Sequence, residues 1–260
     1  MYSISVITIC FNNLPHLIQT CDSVDDQKLK PFQHIIIDGS TTSEIKDYLE
    51  KTKLPVYRQW VSEPDKGISD AFNKGILRAK GEIVVMLNSG DMLYDEMVLE
   101  MVTSAFKKQP QLSWLHGKYM LIRGNIPVII GKPFEKKKLY RGMRSISHQT
   151  MFIKRKLHAK YGLYNSNEKI AMDYDFLCRI AEEPFAFLPL PLVTFAPAGT
   201  SSVNYLQSLR EAKIVYERYN GKSISLTMWQ LRLRLLYYLL NSPVGNFLYK
   251  IKTKLKLENI

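Results

Sequence analysis

The sequence predicts an α/β protein whose first ninety residues alternate between strands and helices. Short apolar runs rich in β-branched residues alternate with segments in which apolar residues recur at helical spacing. The strands are expected at residues 3–11, His34–Asp38, Val56–Val61 and Glu82–Leu87. The helices are expected at His16–Asp26, Thr42–Thr52 and Ile68–Lys80. This order predicts a parallel sheet with right-handed crossover connections.

The second half of the chain predicts a less regular arrangement. The expected elements are a helix at Glu96–Lys108, two strands within 113–131 joined by a turn at Arg123–Asn125, a strand at 149–154, a helix at Met172–Glu183 and an irregular, proline-rich strand region at 184–199. Residues 131–147 are polar, basic and glycine-containing, and we expect a mobile loop there. From Val203 onwards the pattern is helical, with breaks at Gly221 and at 243–245. We therefore expect a catalytic domain at 1–202 and a basic helical extension at 203–260.

Composition limits the class of protein. No apolar run approaches the roughly 20 residues that span a bilayer, and strand-like sequence from residue 2 gives no expectation of a signal peptide. The three cysteines have no metal-ligand spacing and are expected to be reduced thiols in a cytoplasmic protein. The net charge of +12 is concentrated in 132–160 and 206–260. Such basic surfaces favour nucleic acid, anionic lipid or phosphorylated ligands, and a solvated charged face is the alternative.

Acidic turns follow two of the predicted strands, at the strand ends where α/β proteins bind ligands. Asp38 lies in DGST, where its carboxylate can accept a hydrogen bond from a nucleobase or simply form a turn or helix cap. Asp91 lies in NSGD, whose residues are also common in turns. A carboxylate in that position can hold Mn²⁺ or Mg²⁺ when a diphosphate supplies further oxygens. Asp91 therefore points to nucleotide-sugar chemistry.

Two later motifs offer a general base and an acceptor contact. In MDYD, a carboxylate at the start of a helix can take a proton from a hydroxyl, or it can serve only as a cap. Asp173 and Asp175 are two residues apart and point to different faces, so at most one carries the chemistry. His148 in SHQ can contact acceptor or phosphate, and it can equally be a structural histidine.

In their order and spacing, these motifs together resemble family 2 glycosyltransferases of the GT-A fold. The resemblance is carried by SISVITICFNN, IIIDGST, the stretch from Gly67 to Asp91, ISHQTMF and AMDYDFLCR, and it covers residues 2–200. EPDKGISDAFNKGI with NSGD is most similar to the bacterial branch that contains colanic acid and other surface-polysaccharide transferases. The resemblance implies a Rossmann-related, GT-A-like mixed sheet flanked by helices, with a helical C-terminal extension.

The resemblance also implies an activity and a set of site residues. The implied enzyme inverts the anomeric centre and moves one sugar from a nucleotide-diphosphate sugar, usually a UDP-sugar, to a hydroxyl of a glycan or lipid-linked acceptor in bacterial surface polysaccharide synthesis. Asp91 would hold Mn²⁺ or Mg²⁺, and Asp173 would be the base. Implied donor contacts are Ile9, Phe11, Asp38, Asp65, Lys66, Asp70, Asn73, Asn88 and Ser89. Implied acceptor or phosphate contacts are Arg141, Arg144, His148 and Gln149.

Three departures from the family pattern keep a second interpretation open. The usual acid-any-acid triplet is reduced to NSGD, Phe72 stands where many relatives carry Arg, and TFAPAGTSS (194–202) lacks a late metal-binding His. A sugar-nucleotide-binding pseudoenzyme or scaffold in an assembly complex is the alternative. The QxxRW signature of processive synthases is also absent, so we expect one sugar per acceptor.

The carboxyl-terminal segment, residues 228–259, combines aromatic and aliphatic side chains with Lys and Arg. Interfacial helices use this combination on anionic membranes, whereas packing on the catalytic domain or on a second subunit of a homo-oligomer is the alternative. We expect a peripheral position on the inner face of the bacterial cytoplasmic membrane. No RNA-binding aromatic signature or helix-turn-helix pattern supports nucleic acid as a partner.

Overall fold

The first ninety residues form four parallel strands, as their alternation with helices predicts, and the third, second, first and fourth strands of the chain lie side by side in that order. The computed structural model describes residues 2–123, 126–144, 146–195, 204–243 and Gly245. The strands are β1 (Ile4–Cys10), β2 (Gln33–Asp38), β3 (Arg58–Ser62) and β4 (Ile83–Met86). The connecting helices are α1 (Leu14–Asp25), α2 (Glu44–Lys51) and α3 (Ile68–Arg78).

The second half extends this sheet with strands of mixed direction. Its elements are β5 (Met92–Leu93), α4 (Val98–Lys108), β6 (Trp114–Arg123), β7 (Ile126–Ile130), β8 (Phe152–Lys154), α5 (Lys156–Tyr161), α6 (Met172–Ile180) and β9 (Phe185–Thr194). Beyond β4 the order is β8-β6-β9-β5, and β7 pairs with the outer part of β6. β8 runs antiparallel to both β4 and β6. The sheet is therefore mixed.

The proline-rich segment after α6 forms a strand over Phe185–Thr194 with an irregular register, as expected, and residues 196–199 of the predicted region lie outside the described residues. β9 pairs parallel to β6, and the register shifts near Gly117 and Lys118 opposite Pro191. Proline lacks the N–H that a regular ladder requires, so the irregularity is confined to this bulge.

Alternating side chains of the strands fill a core on each face of the sheet. On one face Ile7 and Trp114 pack with Phe72 of α3 and Phe176 of α6. On the other face Val6, Val85 and Phe152 pack with Leu99 and Phe106 of α4. The two-sided burial explains why these strands are apolar without alternation.

Residues 131–147, which we expected to be a mobile loop, are anchored to the core where the structure describes them. A 3₁₀ helix covers Lys136–Arg141, and Phe134, Leu139 and Ile146 are buried. The Tyr174 hydroxyl donates a hydrogen bond to the Leu139 carbonyl oxygen at 2.6 Å. The prediction of a mobile loop was wrong because the lysines and glycines dominate the composition of this segment. Its three apolar residues are separated in sequence, and each of them reaches the core.

Two helices follow at the carboxyl-terminal side, α7 (Tyr205–Asn220) and α8 (Ile224–Leu240), and Gly221 separates them at a φ of 72°. α7 packs closely against the rest of the fold, and Val215 is fully buried in the core that contains Phe176. The Glu211 carboxylate accepts hydrogen bonds from the backbone N–H groups of Ile170 and Ala171, at 2.7 and 3.0 Å. The domain boundary at residue 203 stays a prediction, and α7 packs as part of the same body.

Several expectations fall outside the described residues. Gly124 and Asn125 of the predicted hairpin turn lie there, as do 196–203 and the tail at 246–260. Among the helices that the structure does describe, none is both long and apolar enough to cross a membrane.

Candidate active site

Asp38 is the last residue of β2, and the carboxylate of Asp65, from the loop after β3, lies against the next residue, Gly39. The Asp38 carboxylate is fully buried and accepts hydrogen bonds from the Ser62 hydroxyl at 2.7 Å and from the Ser40 backbone N–H at 3.0 Å. A Cβ at Gly39 would lie 1.9 Å from Asp65 Oδ2, so only glycine lets this carboxylate approach. Burial, with the nearby Asp38 charge, raises the pKa of the Cys10 thiol, which therefore stays protonated beneath this corner. Base recognition by Asp38 remains a prediction.

Asn12 shapes the same corner, and the sequence analysis did not single it out. Its φ is 49°, a left-handed conformation that asparagine tolerates better than most residues. Its side-chain oxygen accepts a hydrogen bond from the Thr41 backbone N–H at 3.0 Å, and its own N–H donates to the Ser40 hydroxyl at 2.8 Å. A polar residue directly after the first strand was the signal that could have identified it.

The NSGD turn is held by Thr20 of α1. The Thr20 hydroxyl accepts a hydrogen bond from the Gly90 N–H at 2.8 Å and lies 2.8 Å from the Asp91 carbonyl oxygen, to which it donates. Gly90 has a φ of 97°, which favours glycine. The Ser89 N–H donates to the Ile9 carbonyl oxygen at 3.0 Å, which fixes the turn to β1. No local pattern around Thr20 reveals this role, because its partners are about seventy residues away.

Oxygen atoms of the NSGD turn suit a hard cation. Asn88 Oδ1 and Ser89 Oγ are buried without a hydrogen-bond partner, and such atoms are destabilising unless a ligand satisfies them. The neighbouring Asp91 carboxylate is almost fully buried. Within the described ranges, no group of three or more Asp, Glu, His or Cys could hold a metal on its own. The residues therefore fit a Mn²⁺ or Mg²⁺ ion that takes its remaining ligands from a diphosphate and water.

The SHQ motif joins the NSGD turn to the start of α6. His148 Nδ1 lies 3.2 Å from Asp173 Oδ2, and His148 Nε2 lies 3.3 Å from Asn88 Nδ2. An amide nitrogen only donates, so Nε2 accepts and Nδ1 carries the proton that is donated to Asp173. The next residue, Gln149, donates from Nε2 to Asp91 Oδ2 at 2.9 Å. Two adjacent residues thus hold the predicted base and the predicted metal ligand through one hydrogen bond each.

Phe72 supports this arrangement from below. It is almost fully buried, and its ring meets the His148 ring edge-on with the centroids 5.7 Å apart. Where many relatives carry Arg, this chain therefore has an apolar surface under the histidine. Its edge-on contact restricts the orientation of the imidazole.

The two acidic residues of MDYD have different surroundings. The Asp173 carboxylate is 22% exposed and faces His148. Asp175 is 1% exposed, and its carboxylate accepts hydrogen bonds from Arg179, Arg218 and the Tyr219 hydroxyl at 2.8–3.1 Å. Asp175 therefore ties α6 to α7. This division agrees with the expectation that only one of the pair carries the chemistry.

The remaining predicted donor residues lie around α3 and at the end of β1. Asp70 accepts a hydrogen bond from the Lys66 backbone N–H at 3.0 Å and lies 3.6 Å from Lys74 Nζ. The Asn73 amide group makes two hydrogen bonds of 2.9 Å to the backbone of Tyr164. Phe11 is exposed at the rim. The structure gives Asp70 and Asn73 structural contacts, and their contact with a donor stays a prediction.

Arg141 and Arg144 are not brought to His148 by any contact in the described residues. Their guanidinium groups lie against Trp229 of α8 instead. They lie at the junction of the 3₁₀ helix and α8, and their predicted contact with an acceptor or a phosphate stays a prediction.

Comparisons with known proteins agree with this geometry. The family described as "Glycosyl transferase family 2" matches residues 5–162. An uncharacterized glycosyltransferase of Mycobacterium tuberculosis H37Rv is 34% identical over 187 residues, 69% of each chain. A PGL/p-HBAD biosynthesis glycosyltransferase of Mycobacterium bovis BCG is 27% identical over 191 residues, 71% of each chain.

Solved structures show the same fold at low sequence identity. Staphylococcus aureus TarS 1–349 superimposes with a TM-score of 0.61 at 15% identity, covering 88% of this chain and 69% of that one. The mannosyltransferase PcManGT of Pyrobaculum calidifontis, in complex with GDP-Man and Mn²⁺, gives a TM-score of 0.63 at 14% identity, covering 99% and 81%. The sheet is that of a GT-A glycosyltransferase with a helical carboxyl-terminal part, and the chain belongs to glycosyl transferase family 2.

Proposed function

We propose that this glycosyltransferase moves one sugar, with inversion, from a nucleotide-diphosphate sugar to a hydroxyl of its acceptor. The observation that carries the proposal is the pair His148–Gln149. One residue holds Asp173 and the next holds Asp91, which supports a site where a base and a metal ligand would lie near each other. Such a site can act on both ends of a transfer reaction, the leaving diphosphate and the attacking hydroxyl.

The proposed donor is a UDP-sugar. TarS has been solved with UDP-GlcNAc and PcManGT with GDP-Man, so related folds bind nucleotide-diphosphate sugars with different bases. In this chain the buried Asp38 and the neighbouring Asp65 mark the corner where a nucleoside would lie. Uridine is the usual nucleoside of the family that the motifs resemble.

Asp91, Asn88 and Ser89 would hold Mn²⁺ or Mg²⁺ together with the diphosphate. A bound cation would stabilise the negative charge that develops on the departing nucleotide diphosphate. The unpartnered oxygens of Asn88 and Ser89 support this assignment, because a ligand would satisfy both. Gln149 fixes the direction of the Asp91 carboxylate.

Asp173 would act as the general base. The acceptor oxygen forms a bond to the anomeric carbon from the side opposite the diphosphate, whose bond to that carbon breaks. The hydroxyl proton passes to Asp173, and attack from the opposite side inverts the anomeric configuration. Hydrogen bonds from His148 Nδ1 to Oδ2 and from the Tyr174 backbone N–H to Oδ1 fix the direction of this carboxylate, and each oxygen keeps a lone pair that can take the proton.

The proposed acceptor is a glycan or lipid-linked sugar in bacterial surface polysaccharide synthesis, used at the inner face of the cytoplasmic membrane. A similar protein acts in PGL/p-HBAD biosynthesis according to its name, which supports a cell-envelope acceptor. A homo-oligomer is compatible with the exposed apolar residues of α8.

A thermal-shift panel of nucleotide sugars, with and without manganese, tests the donor, because a ligand of the native state raises its melting temperature. We expect UDP-sugars with manganese to give the largest shift, followed by metal-dependent donor hydrolysis and transfer with inverted configuration by NMR. A shift without hydrolysis or transfer to any acceptor would instead favour the pseudoenzyme or scaffold. No shift with any nucleotide sugar would contradict the proposal.

A further inference from the structure

Three arginines surround one tryptophan at the junction of the 3₁₀ helix and α8. The guanidinium carbons of Arg141, Arg144 and Arg232 lie 5.3, 5.2 and 5.6 Å from the centroid of the Trp229 ring. Arg141 and Arg144 come from the segment before SHQ, and Arg232 comes from α8 itself. Contacts between segments about ninety residues apart thus build one concentrated patch of positive charge.

These arginines have no ion-pair partner among the described residues, although the Glu135 carboxylate, which pairs with Lys138, lies within electrostatic range of Arg141. In the ranges that the structure describes, none of the three pairs with a carboxylate, and Arg141 Nε donates only to the Tyr140 hydroxyl. The neighbouring lysines differ, because Lys136 pairs with Glu182 and Lys138 with Glu135. Like charges gathered on one ring repel one another, and an anion between them would offset that repulsion. A guanidinium stacked on an indole keeps its N–H edge free for the bidentate binding that suits phosphate.

α8 presents an apolar face beside this patch. Leu226, Gln230 and Leu233 are buried, and Gln230 Nε2 donates to the Leu209 carbonyl oxygen of α7 at 3.0 Å. Another face is exposed over several turns and forms a continuous surface that includes Arg232. Its apolar members are Met228, Leu231, Leu235, Leu236 and Leu239. No acidic residue lies within α8.

We propose that Arg141, Arg144 and Arg232 bind the phosphate of a membrane lipid while the apolar face of α8 lies in the same leaflet. The occupant is an anionic lipid because the site matches both parts of such a molecule. Guanidinium groups without an ion-pair partner suit its phosphate, and the exposed leucines suit its acyl region. This places membrane contact in α8, part of the segment 228–259 that the sequence suggests, and adds the arginines of the segment before SHQ. The patch shares no residue with the site of Asp91 and Asp173, so lipid binding can be tested whether or not sugar transfer occurs.

Vesicle flotation of the full chain tests the site. We expect binding to phosphatidylcholine vesicles that contain phosphatidylglycerol, and much weaker binding to phosphatidylcholine alone. The variant R141Q/R144Q/R232Q should lower partitioning onto the anionic vesicles on the order of a hundredfold, because each basic residue near such a surface contributes about fivefold. It should also weaken the salt dependence. Leu231→Gln with Leu235→Gln should reduce binding to both kinds of vesicle, and these exposed positions leave folding intact.

A matched control removes three exposed lysines elsewhere, Lys51→Gln, Lys53→Gln and Lys107→Gln, with the same change in net charge. Equal losses in the control and the arginine variant would overturn the site in favour of diffuse charge. Displacement by inorganic phosphate at constant ionic strength would assign the patch to a soluble anion instead. If the leucine variant converted a dimer to a monomer in light scattering and left vesicle binding unchanged, the face would belong to a second copy and the proposal would be wrong.

Discussion

The imidazole of His148 connects Asp173 to Asn88, with Nδ1 lying 3.2 Å from Asp173 Oδ2 and Nε2 lying 3.3 Å from Asn88 Nδ2. A side chain of the NSGD turn therefore sets the tautomer of the histidine that orients Asp173, the proposed base. The start of α6 and the end of β4 are coupled through this ring, which Phe72 supports edge-on. The relationship makes His148 a positioning residue in the proposed reaction.

Replacing His148 with alanine is expected to lower kcat by about tenfold to a hundredfold and to change the donor KM less. The substitution removes the hydrogen bond that directs Asp173, so the base samples unproductive orientations. Steady-state kinetics of sugar transfer measure this split.

His148→Asn provides the control, because an asparagine amide can still donate toward Asp173. Partial recovery of kcat in this variant would support the orienting role. Equal loss of donor affinity in both variants, with kcat unchanged, would assign His148 to the donor instead.

Asp173→Asn and Asp175→Asn are expected to fail in different ways. In the first variant the amide cannot accept a full proton, so transfer should fall by more than about a hundredfold while donor affinity and Tm stay near wild type. At Asp175 the change leaves Arg179 and Arg218 facing a neutral amide in a buried network and should destabilise the fold by about 3 kcal/mol or more. Transfer kinetics and thermal unfolding separate the two. Transfer by Asp173→Asn within about threefold of wild type would exclude Asp173 as the base.

Asp91→Ala is expected to fold and to lose metal-dependent donor binding. The Asp91 carboxylate would be the charged oxygen ligand of a turn whose other candidate ligands, Asn88 Oδ1 and Ser89 Oγ, are neutral. Calorimetric titration of a UDP-sugar with and without manganese measures the loss. Asp22→Ala, an exposed position on α1, is the matched control and should bind as wild type. Wild-type turnover of Asp91→Ala in manganese would show that Asp91 is not the metal ligand.

The sequence predicted the parallel half of the fold well because its signals are local. The runs that became β1, β2 and β4 are apolar on both faces, and each prediction differs from the observed boundaries by only one or two residues. β5 and α5 were not predicted, since a two-residue strand and a six-residue helix carry too little periodicity. The loop at 131–147 was predicted wrongly because its anchors, Phe134 and Leu139, are separated by charged residues.

The site residues, like the strands and helices, could be predicted only where the signal is local in the sequence. Asp91 and Asp173 could be proposed from motifs, but the contacts that relate them run through side chains distant in sequence. Thr20 reaches NSGD across about seventy residues, and Arg218 reaches Asp175 across more than forty. Such partners depend on packing of helices against the sheet. The arginine cluster on Trp229 also depends on packing, because the sequence of neither segment predicts that it contacts the other.

Stability should depend on pH through His158. Its ring is buried, stacked on Phe176 with centroids 4.3 Å apart, and neither ring nitrogen has a partner. Burial lowers its pKa from 6.5 to about 3, so as pH falls below 6.5 the unfolded state binds a proton that the folded state does not. Stability should therefore fall between about pH 6.5 and pH 3, by roughly 3 kcal/mol at pH 4 from this residue.

His158→Phe is the test of that dependence. The variant should lose less stability than wild type between about pH 7 and pH 4 in urea unfolding, because phenylalanine keeps the stacking and binds no proton. The buried His116, whose pKa burial lowers to about 4, remains in both proteins and cancels in the comparison. Identical pH dependence in the two proteins would show that His158 does not contribute.

Two truncations should separate the roles of the carboxyl-terminal helices. Deleting residues 243–260 should leave Tm and donor binding near wild type, because every proposed donor and metal residue precedes this segment and α7 and α8 are kept. Binding to anionic vesicles should fall, since four lysines of the tail are removed, each contributing about 1 kcal/mol near an anionic surface.

Deleting residues 204–260 should instead unfold the protein. It removes Arg218 from the buried Asp175 and Glu168, Glu211 from the N-terminus of α6, and Val215 from the core. A stable 1–203 chain with wild-type Tm would show that the domain boundary lies where the sequence suggests, and unchanged vesicle binding without the tail would assign membrane contact to the region around α8 alone.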